Sequence, residues 1–387
     1  MLIFLYYVWL WLGYCWWPVA VCNRVLSLPI QDHKLSLIRV IVHDLPMLAG
    51  PFVIAAVAWE EQSTTSPVTE NMIRLFTWVC WLGWFGILWG FLRNQVQWRM
   101  SQRLSHEEVL SRFSRAESHP FPVVGWRPKA IVAKFPGNES RRCEFNRKRL
   151  DLFHLPAQLD GLRILHFSDV HFLGDIPREF FEAVFERISQ TEYDLAIFSG
   201  DLIDDPSKAE WLKTTFSRVN AKYGRFAILG NHDWVFGDPE ILRNQLRDID
   251  WTVLKNESAL LDLNGATIGL YGSEYPWMGH LPEQIPDLET ADFRLLISHS
   301  PDTIAWARRQ EFDLMLAGHN HGGQIRIPFY GPVYSPSRYG VKYASGVIDE
   351  RPTLMHVSRG LSARVAIRYN CLPEVTEIVL RSQRGST

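Results

Sequence analysis

Five short strings carry side chains able to do chemistry: Ser168-Asp169-Val170-His171, Gly200-Asp201, Gly230-Asn231-His232-Asp233, Ser298-His299-Ser300-Pro301 and Gly318-His319-Asn320-His321-Gly322-Gly323. Imidazole, carboxylate and amide oxygen together suit Zn, Fe or Mn, whereas an all-oxygen site favours Mg or Ca. Two such ions about 3.5–4 Å apart can share a hydroxide, lower its pKa and clamp both oxygens of an in-line displacement. A single His after a strand is ordinarily a surface or capping residue, and a lone Gly-Asp is a turn. Five clusters in succession, each offering a metal donor, are harder to explain without a metal site.

These strings must be positioned by the elements before them. Arg163–Ser168 (RILHFS), Leu195–Ser199 (LAIFS) and Arg225–Leu229 (RFAIL) are short apolar runs, read as buried strands. Between the first two, Pro177–Gln190 puts Phe180, Phe181, Val184, Phe185 and Ile188 on one helical face. A further helix is expected near Lys208–Val219, and Asp238-Pro239 caps another through Ile249. Later strands are expected at Ser258–Leu263, Ala266–Tyr271, Arg294–Ser298, Leu314–Ala317, Gln324–Ile327, Thr353–Val357 and Val375–Leu380. Asp169, Asp201 and Asn231 follow one another at the roughly 30-residue period of βαβ units. Ligands of open α/β sheets bind beyond the carboxyl ends of strands, so the clusters should converge on one rim. The expected fold is α/β, a layered two-sheet domain, preceded by an all-α transmembrane segment.

Asp-x-His, Gly-Asp, Gly-Asn-His-Asp, a lone His and Gly-His-x-His, in that order over residues 160–325, resemble the calcineurin-like metallophosphoesterases. The resemblance implies that Asp169, His171, Asp201 and His321 hold one metal. Asp201, Asn231, His299 and His319 would hold the second, with Asp201 bridging. The cofactors implied are two divalent or trivalent ions, Mn, Zn or Fe. His232 is implied to be catalytic, a general acid or donor at the leaving oxygen, with Asp233 either orienting its ring or capping a helix. Gly318, Gly322 and Gly323 are expected to let the backbone approach the metal or phosphate. The strings GHNHGGQIRIPFYGP and YSPSRYGVKYASG, with the apolar N-terminus, are similar to a membrane-anchored branch that includes UDP-2,3-diacylglucosamine hydrolases of lipid A synthesis.

Composition divides the chain. Ten of the 16 tryptophans stand in the first hundred of 387 residues, among long apolar runs. Residues 1–22 carry no charge and span about 33 Å as a helix, enough for a hydrocarbon core of about 30 Å. A cleaved signal would need a basic start, yet the first Lys or Arg is Arg24. Leu75–Leu92 is a second good span; Leu45–Trp59 is short, and either crosses by borrowing Val40–Val42 or is re-entrant or interfacial. Arg24, Lys34 and Arg39 on one side, with Arg93, Arg99 and Arg103, contrast with Glu60, Glu61 and Glu70 between the second and third runs. Basic loops stay in the cytoplasm. The expectation is a multi-pass protein of the inner or plasma membrane with a cytoplasmic catalytic domain.

The domains read as a membrane region over 1–103, a linker and basic cluster over 104–150, and a metallophosphoesterase domain over 151–387. The linker holds Pro120, Pro122, Pro128 and Pro136 and ends in Arg141, Arg142, Arg147, Lys148 and Arg149, a solvated tract or a patch for anionic lipid. The net charge of −2 gives no reason to expect nucleic acid, and five scattered cysteines form no CxxC pair. Tyr275-Pro276-Trp277-Met278 and Pro328-Phe329-Tyr330 are apolar enough to pack on the domain or to hold acyl chains; His280 is taken as a non-ligand. The expected activity is hydrolysis of a phosphodiester or pyrophosphate bond by a two-metal-activated hydroxide, on a lipid-linked or small phosphoester. The alternatives are a tethered phosphatase or nuclease for a soluble substrate, and a non-catalytic membrane scaffold.

Overall fold

A computed structural model describes residues 2–30, 32–61, 66–113, 135–173, 175–235 and 237–382. Two sheets form its body. One runs β1 (Ser105–Phe113), β2 (Cys143–Leu152), β15 (Glu374–Ser382), β3 (Arg163–Phe167), β4 (Leu195–Ser199), β5 (Arg225–Ile228), β6 (Thr252–Val253). The other runs β13 (Gly346–Glu350), β14 (Thr353–Val357), β10 (Leu314–Ala317), β9 (Phe293–Ser298), β8 (Ala266–Ser273), β7 (Ser258–Leu263), with a small ribbon of β11 (Arg326–Ile327) and β12 (Gly331–Pro332) beside them.

Strand alternation explains the layering. Ile164, Leu195, Ile197 and Ile228 of the first sheet meet Ile268, Leu295, Ile297 and Leu316 of the second in one buried core. Leu165, Phe167, Ala196 and Phe198 point the other way, onto the apolar face of the helix Arg178–Ser189. Phe180, Phe181 and Phe185 of that helix are fully buried, each worth about 1.5–3 kcal/mol. Helix Ile304–Arg309 covers the second sheet's outer face through Ile304, Trp306 and Ala307. β3, β4 and β5 are mutually parallel, as are β8, β9 and β10, so the carboxyl ends of both sheets face one rim.

Three expectations are corrected. The helix expected near Lys208–Val219 is two short 3₁₀ segments, Pro206–Thr214 and Phe216–Arg218. Of the strand expected at Gln324–Ile327, only Arg326–Ile327 forms a ribbon; Ile325 makes a single bridge to Tyr369, and Gln324 breaks the extended run with a positive φ of 55°. The ends of the expected linker are strands, and β1 pairs antiparallel with β2 at the edge of the main sheet. Charge pairing is the reason a polar stretch can do this. Glu108 meets Arg147 and Arg149, while Lys148 turns inward to Glu374 at 3.2 Å. Those bases are thus engaged within the sheet; Pro120, Pro122 and Pro128 lie outside the described residues.

Among the described residues, three N-terminal stretches are long and apolar enough to cross a membrane: Leu2–Val25, Lys34–Glu60 and Pro67–Leu104. They comprise α1 (Leu2–Val25), α2 (Asp32–Arg39) joined through a π-turn at Val40–Asp44 to α3 (Leu45–Glu60), and α4 (Pro67–Leu104). The second run therefore does borrow residues across His43 and Asp44, and it is 27 residues long. Its polar pair is served locally: His43 Nδ1 lies 2.7 Å from Asp44 and Nε2 lies 2.6 Å from the Tyr334 hydroxyl. α1 and α4 touch backbone to backbone at glycines, since a Cβ on Gly83 would sit 1.9 Å from the Gly13 carbonyl oxygen. At about 57 Å, α4 outruns a bilayer core and passes directly into β1. Asn94 and Gln95 of α4 donate to the carbonyls of Tyr330 and Phe329, tying the helix to the domain.

Candidate metal centre

Each sequence cluster lies on the loop leaving one strand: Asp169 and His171 after β3, Asp201 after β4, Asn231 and His232 after β5, His299 after β9, His319 and His321 after β10. The loops are stitched together. Asp169 N donates to Gly200 O at 2.9 Å, and Gly318 N to His299 O at 3.0 Å. Across the sheets, His299 Nδ1 meets Ser199 O at 2.7 Å. Asp169, His171, Asp201, His319 and His321 all have positive φ, between 46° and 69°. That region is disfavoured for residues with a Cβ, and its concentration here is the strain pattern of a functional site. Glycine is required beneath the acids: a Cβ on Gly230 would lie 2.2 Å from Asp201 Oδ1, and one on Gly318 2.5 Å from Asp169 Oδ2. Gly322 and Gly323 instead press on Cys371 and Pro332, so their freedom serves the turn rather than close approach to a ligand.

The donors fall into two groups sharing Asp201: Asp169, His171, Asp201 and His321, and Asp201, His299 and His319. Asn231 joins the second, its Oδ1 3.0 Å from His299 Nε2. His171 Nε2 and His299 Nε2 stand 3.4 and 3.2 Å from Asp201 Oδ2. His171 Nε2, Asp201 Oδ2 and His321 Nδ1 are buried with no hydrogen-bond partner among the described residues. Orphaned buried donors of these types fit cations that would complete them. Burial opposes charge on His299, yet the Asp201 carboxylate pushes its pKa up to about 9; the pocket draws positive charge.

Of the two roles left open for Asp233, orienting the His232 ring falls instead to Asp204. Asp204 Oδ1 meets His232 Nδ1 at 2.5 Å while its Oδ2 meets His171 Nδ1 at 2.7 Å. Burial alone would raise the Asp204 carboxyl, but His171 and His232 hold it well below the carboxylate range. Asp233 instead accepts from the backbone N–H groups of Leu202, Ile203 and Gly230, fixing the loops after β4 and β5. Sequence offered only a weak signal for Asp204, because Asp204 and Asp205 are adjacent in one loop; Asp205 caps the turn through Ser207 N.

Trp277 lies over the second group, its ring 4.8 Å from His319 and 5.7 Å from His299. His280 is exposed and belongs to none of the ligand groups. A cavity of about 200 Å³ opens above the donors. Asp201, Asn231, His232, His319 and His321 line it together with Leu26, Leu35, Ser36 and Arg39, from the connection of α1 to α2 and from α2 itself, and with Pro336 and Arg364. Arg39 reaches Asp44 at 3.5 Å. The apolar helices thus contribute directly to the mouth of the site, which the sequence did not reveal.

A two-sheet α/β domain with clustered Asp, His and Asn at its strand ends is that of a metal-dependent phosphoesterase. Residues 162–323 match the calcineurin-like phosphoesterase family. A Bacillus subtilis relative described as an uncharacterized metallophosphoesterase, YkuE, is 31% identical over 235 residues, 59% of this chain and 82% of the relative. Escherichia coli phosphodiesterase YaeI is 28% identical over 241 residues, covering 61% and 88%. UDP-2,3-diacylglucosamine pyrophosphatase LpxG of Chlamydia trachomatis is 26% identical over 275 residues, covering 57% and 83%. The chain belongs to the calcineurin-like phosphoesterase family.

Proposed function

We propose that this chain is a membrane-anchored hydrolase of a phosphodiester or pyrophosphate bond in a lipid-linked substrate. The observation that carries the reading is the shared mouth: Leu26, Leu35 and Arg39 from the apolar helical region face Asn231, His232 and His319 across one cavity. A substrate entering there comes past the membrane surface, and an amphiphile is already concentrated on that surface. The chlamydial relatives named for UDP-2,3-diacylglucosamine make a nucleotide-linked diacyl sugar the first substrate to try.

Asp169, His171, Asp201 and His321 would hold one ion, and Asp201, Asn231, His299 and His319 the other. Bound there, the ions supply Lewis acidity toward the phosphoryl oxygens and toward water. His232, with Nδ1 tied to Asp204, donates a proton from its other ring nitrogen to the leaving oxygen. Trp277 screens the second group of donors from bulk water, and Arg39 supplies positive charge at the mouth. The apolar helices cross the membrane three times, with basic residues Arg24, Lys34, Arg39, Arg93, Arg99 and Arg103 on the domain's side. That orientation makes the domain cytoplasmic.

The test is a substrate panel with detergent-solubilised protein and added Mn²⁺: UDP-2,3-diacylglucosamine, its deacylated counterpart, bis(p-nitrophenyl) phosphate and single-stranded DNA. The diacyl compound should be cleaved with the highest kcat/KM. Equal rates on the deacylated compound, or preferred cleavage of DNA, would overturn the lipid-linked reading. A C-terminal alkaline phosphatase fusion should be inactive, and an active fusion would reverse the orientation.

A further inference from the structure

A second cavity, of about 630 Å³, lies between α1, α4 and the domain loops at Ile327–Val333 and Tyr339–Val341. That volume is within the range of about 300–1,000 Å³ that holds small ligands. Its long walls are apolar, dominated by Trp16, Trp84 and Trp89, with Tyr330 closing the domain side. Glycines in α4 keep it open: a Cβ on Gly90 would lie 3.0 Å from the Tyr330 hydroxyl. Arg24, in the last turn of α1, and Arg93, immediately after the uncharged run of α4, both line it.

Among the described residues, no carboxylate lines this cavity. Arg24 donates to the Ala20 carbonyl of its own helix, and Arg93 Nε is buried without a hydrogen-bond partner among the described residues. Two guanidinium groups beside apolar walls, without an acid to neutralise them, call for an anionic headgroup carrying a chain. Arg suits phosphate in particular, because its planar fork donates two parallel hydrogen bonds.

We propose that this cavity binds an anionic glycerophospholipid of the surrounding membrane, its phosphate at Arg24 and Arg93 and one acyl chain among Trp16, Trp84 and Trp89. The inference rests on the reading that α1 and α4 cross the membrane, but not on the identity of the hydrolysed bond. The site is separate from the metal centre, and among the described residues none lines both cavities. Between them runs the segment Val333–Pro336. Asn23 of α1 bonds it at Val333 O and Ser335 N, and Pro336 O meets His319 Nε2 at 3.0 Å. A lipid seated against α1 would therefore brace the wall that supports His319.

The test uses the full chain in detergent, exchanged into phosphatidylcholine nanodiscs with or without phosphatidylglycerol, and native mass spectrometry of the released protein. The wild-type protein should retain one phosphatidylglycerol in preference to phosphatidylcholine. Retention should fall about tenfold, or 1.4 kcal/mol, in the Arg24→Gln/Arg93→Gln protein. Gly90→Leu, which fills the chain slot and leaves both arginines, should lower it likewise. Hydrolysis of bis(p-nitrophenyl) phosphate, measured alongside, reports whether each variant is folded. Failure of the wild type to prefer phosphatidylglycerol, or equal retention by the double variant, overturns the proposal. If the cavity instead holds the substrate's own acyl chain, added UDP-2,3-diacylglucosamine will displace the phospholipid, and that result also overturns it. A chain that washes from membranes at alkaline pH removes the anchoring reading and this proposal together; one that stays embedded without a preference removes this proposal alone.

Discussion

Asp204→Asn is the sharpest probe of the site, because one carboxylate serves two imidazoles. Asp204 accepts at 2.7 Å from His171 and at 2.5 Å from His232, through different oxygens. An ionised carboxylate accepts at both and so sets both rings to carry a proton on Nδ1. That leaves His171 Nε2 as a lone pair facing Asp201, the form a metal needs. An asparagine has one oxygen and one NH₂. Whichever ring faces the NH₂ must accept at Nδ1 and carry its proton on Nε2. If that ring is His171, a proposed metal ligand is lost; if it is His232, the proposed proton donor loses its charged partner. Altering a partner behind a ligand costs about 10- to 100-fold in affinity or activity. Loss of a charge-assisted hydrogen bond of about 1.5–3 kcal/mol predicts a similar factor by the second route. Asp204→Asn should therefore lower kcat/KM on a phosphodiester with a poor, alkoxide leaving group about 10- to 100-fold, with metal content measured by elemental analysis assigning the route. A rate within threefold of wild type, with both metals retained, would refute the role of Asp204.

His232→Ala should lose about 10²- to 10⁴-fold on esters with poor leaving groups, keep its metal, and lose much less on a nitrophenyl ester. Equal losses on both esters would exclude proton donation. Asp201→Asn should abolish turnover and reduce bound metal, because Asp201 lies in both donor groups; normal metal content and rate would dissolve the bridging assignment. Burial holds His166 down to about pKa 3, so it stays neutral in the fold while the unfolded chain protonates it below about pH 6.5. Its contribution to stability is complete above pH 6.5 and declines toward pH 3 by at most about 1.4 kcal/mol per pH unit. Thermal melts of His166→Gln should have a shallower acid dependence than wild type, and an unchanged slope would rule this out.

The strings around Asp169, Asp201, Asn231, His299 and His319 were legible because their signals are local. Each donor follows a buried apolar run and a sharp turn, and strand periodicity fixes which end of the run it occupies. The phenylalanine face of Arg178–Ser189 was legible for the same reason. Other features depend on residues far apart in the chain. Asp204 and Asp205 are equivalent in sequence; only the packing of β3 and β5 brings His171 and His232 to Asp204. Trp277 reads as an apolar loop residue until the second sheet brings it against His299 and His319. β1 and β2 look like solvated linker, because an edge pair stabilised by Glu108, Arg147 and Arg149 has the composition of a loop. The wall formed by Leu26, Leu35 and Arg39 depends on how the apolar helices sit against the rim. Sequence thus determined which candidate donors converge on the rim and in what order, since strand and turn signals are short-range. Tertiary packing decided which groups orient those donors and what the site faces, since such contacts join segments that carry no local record of one another.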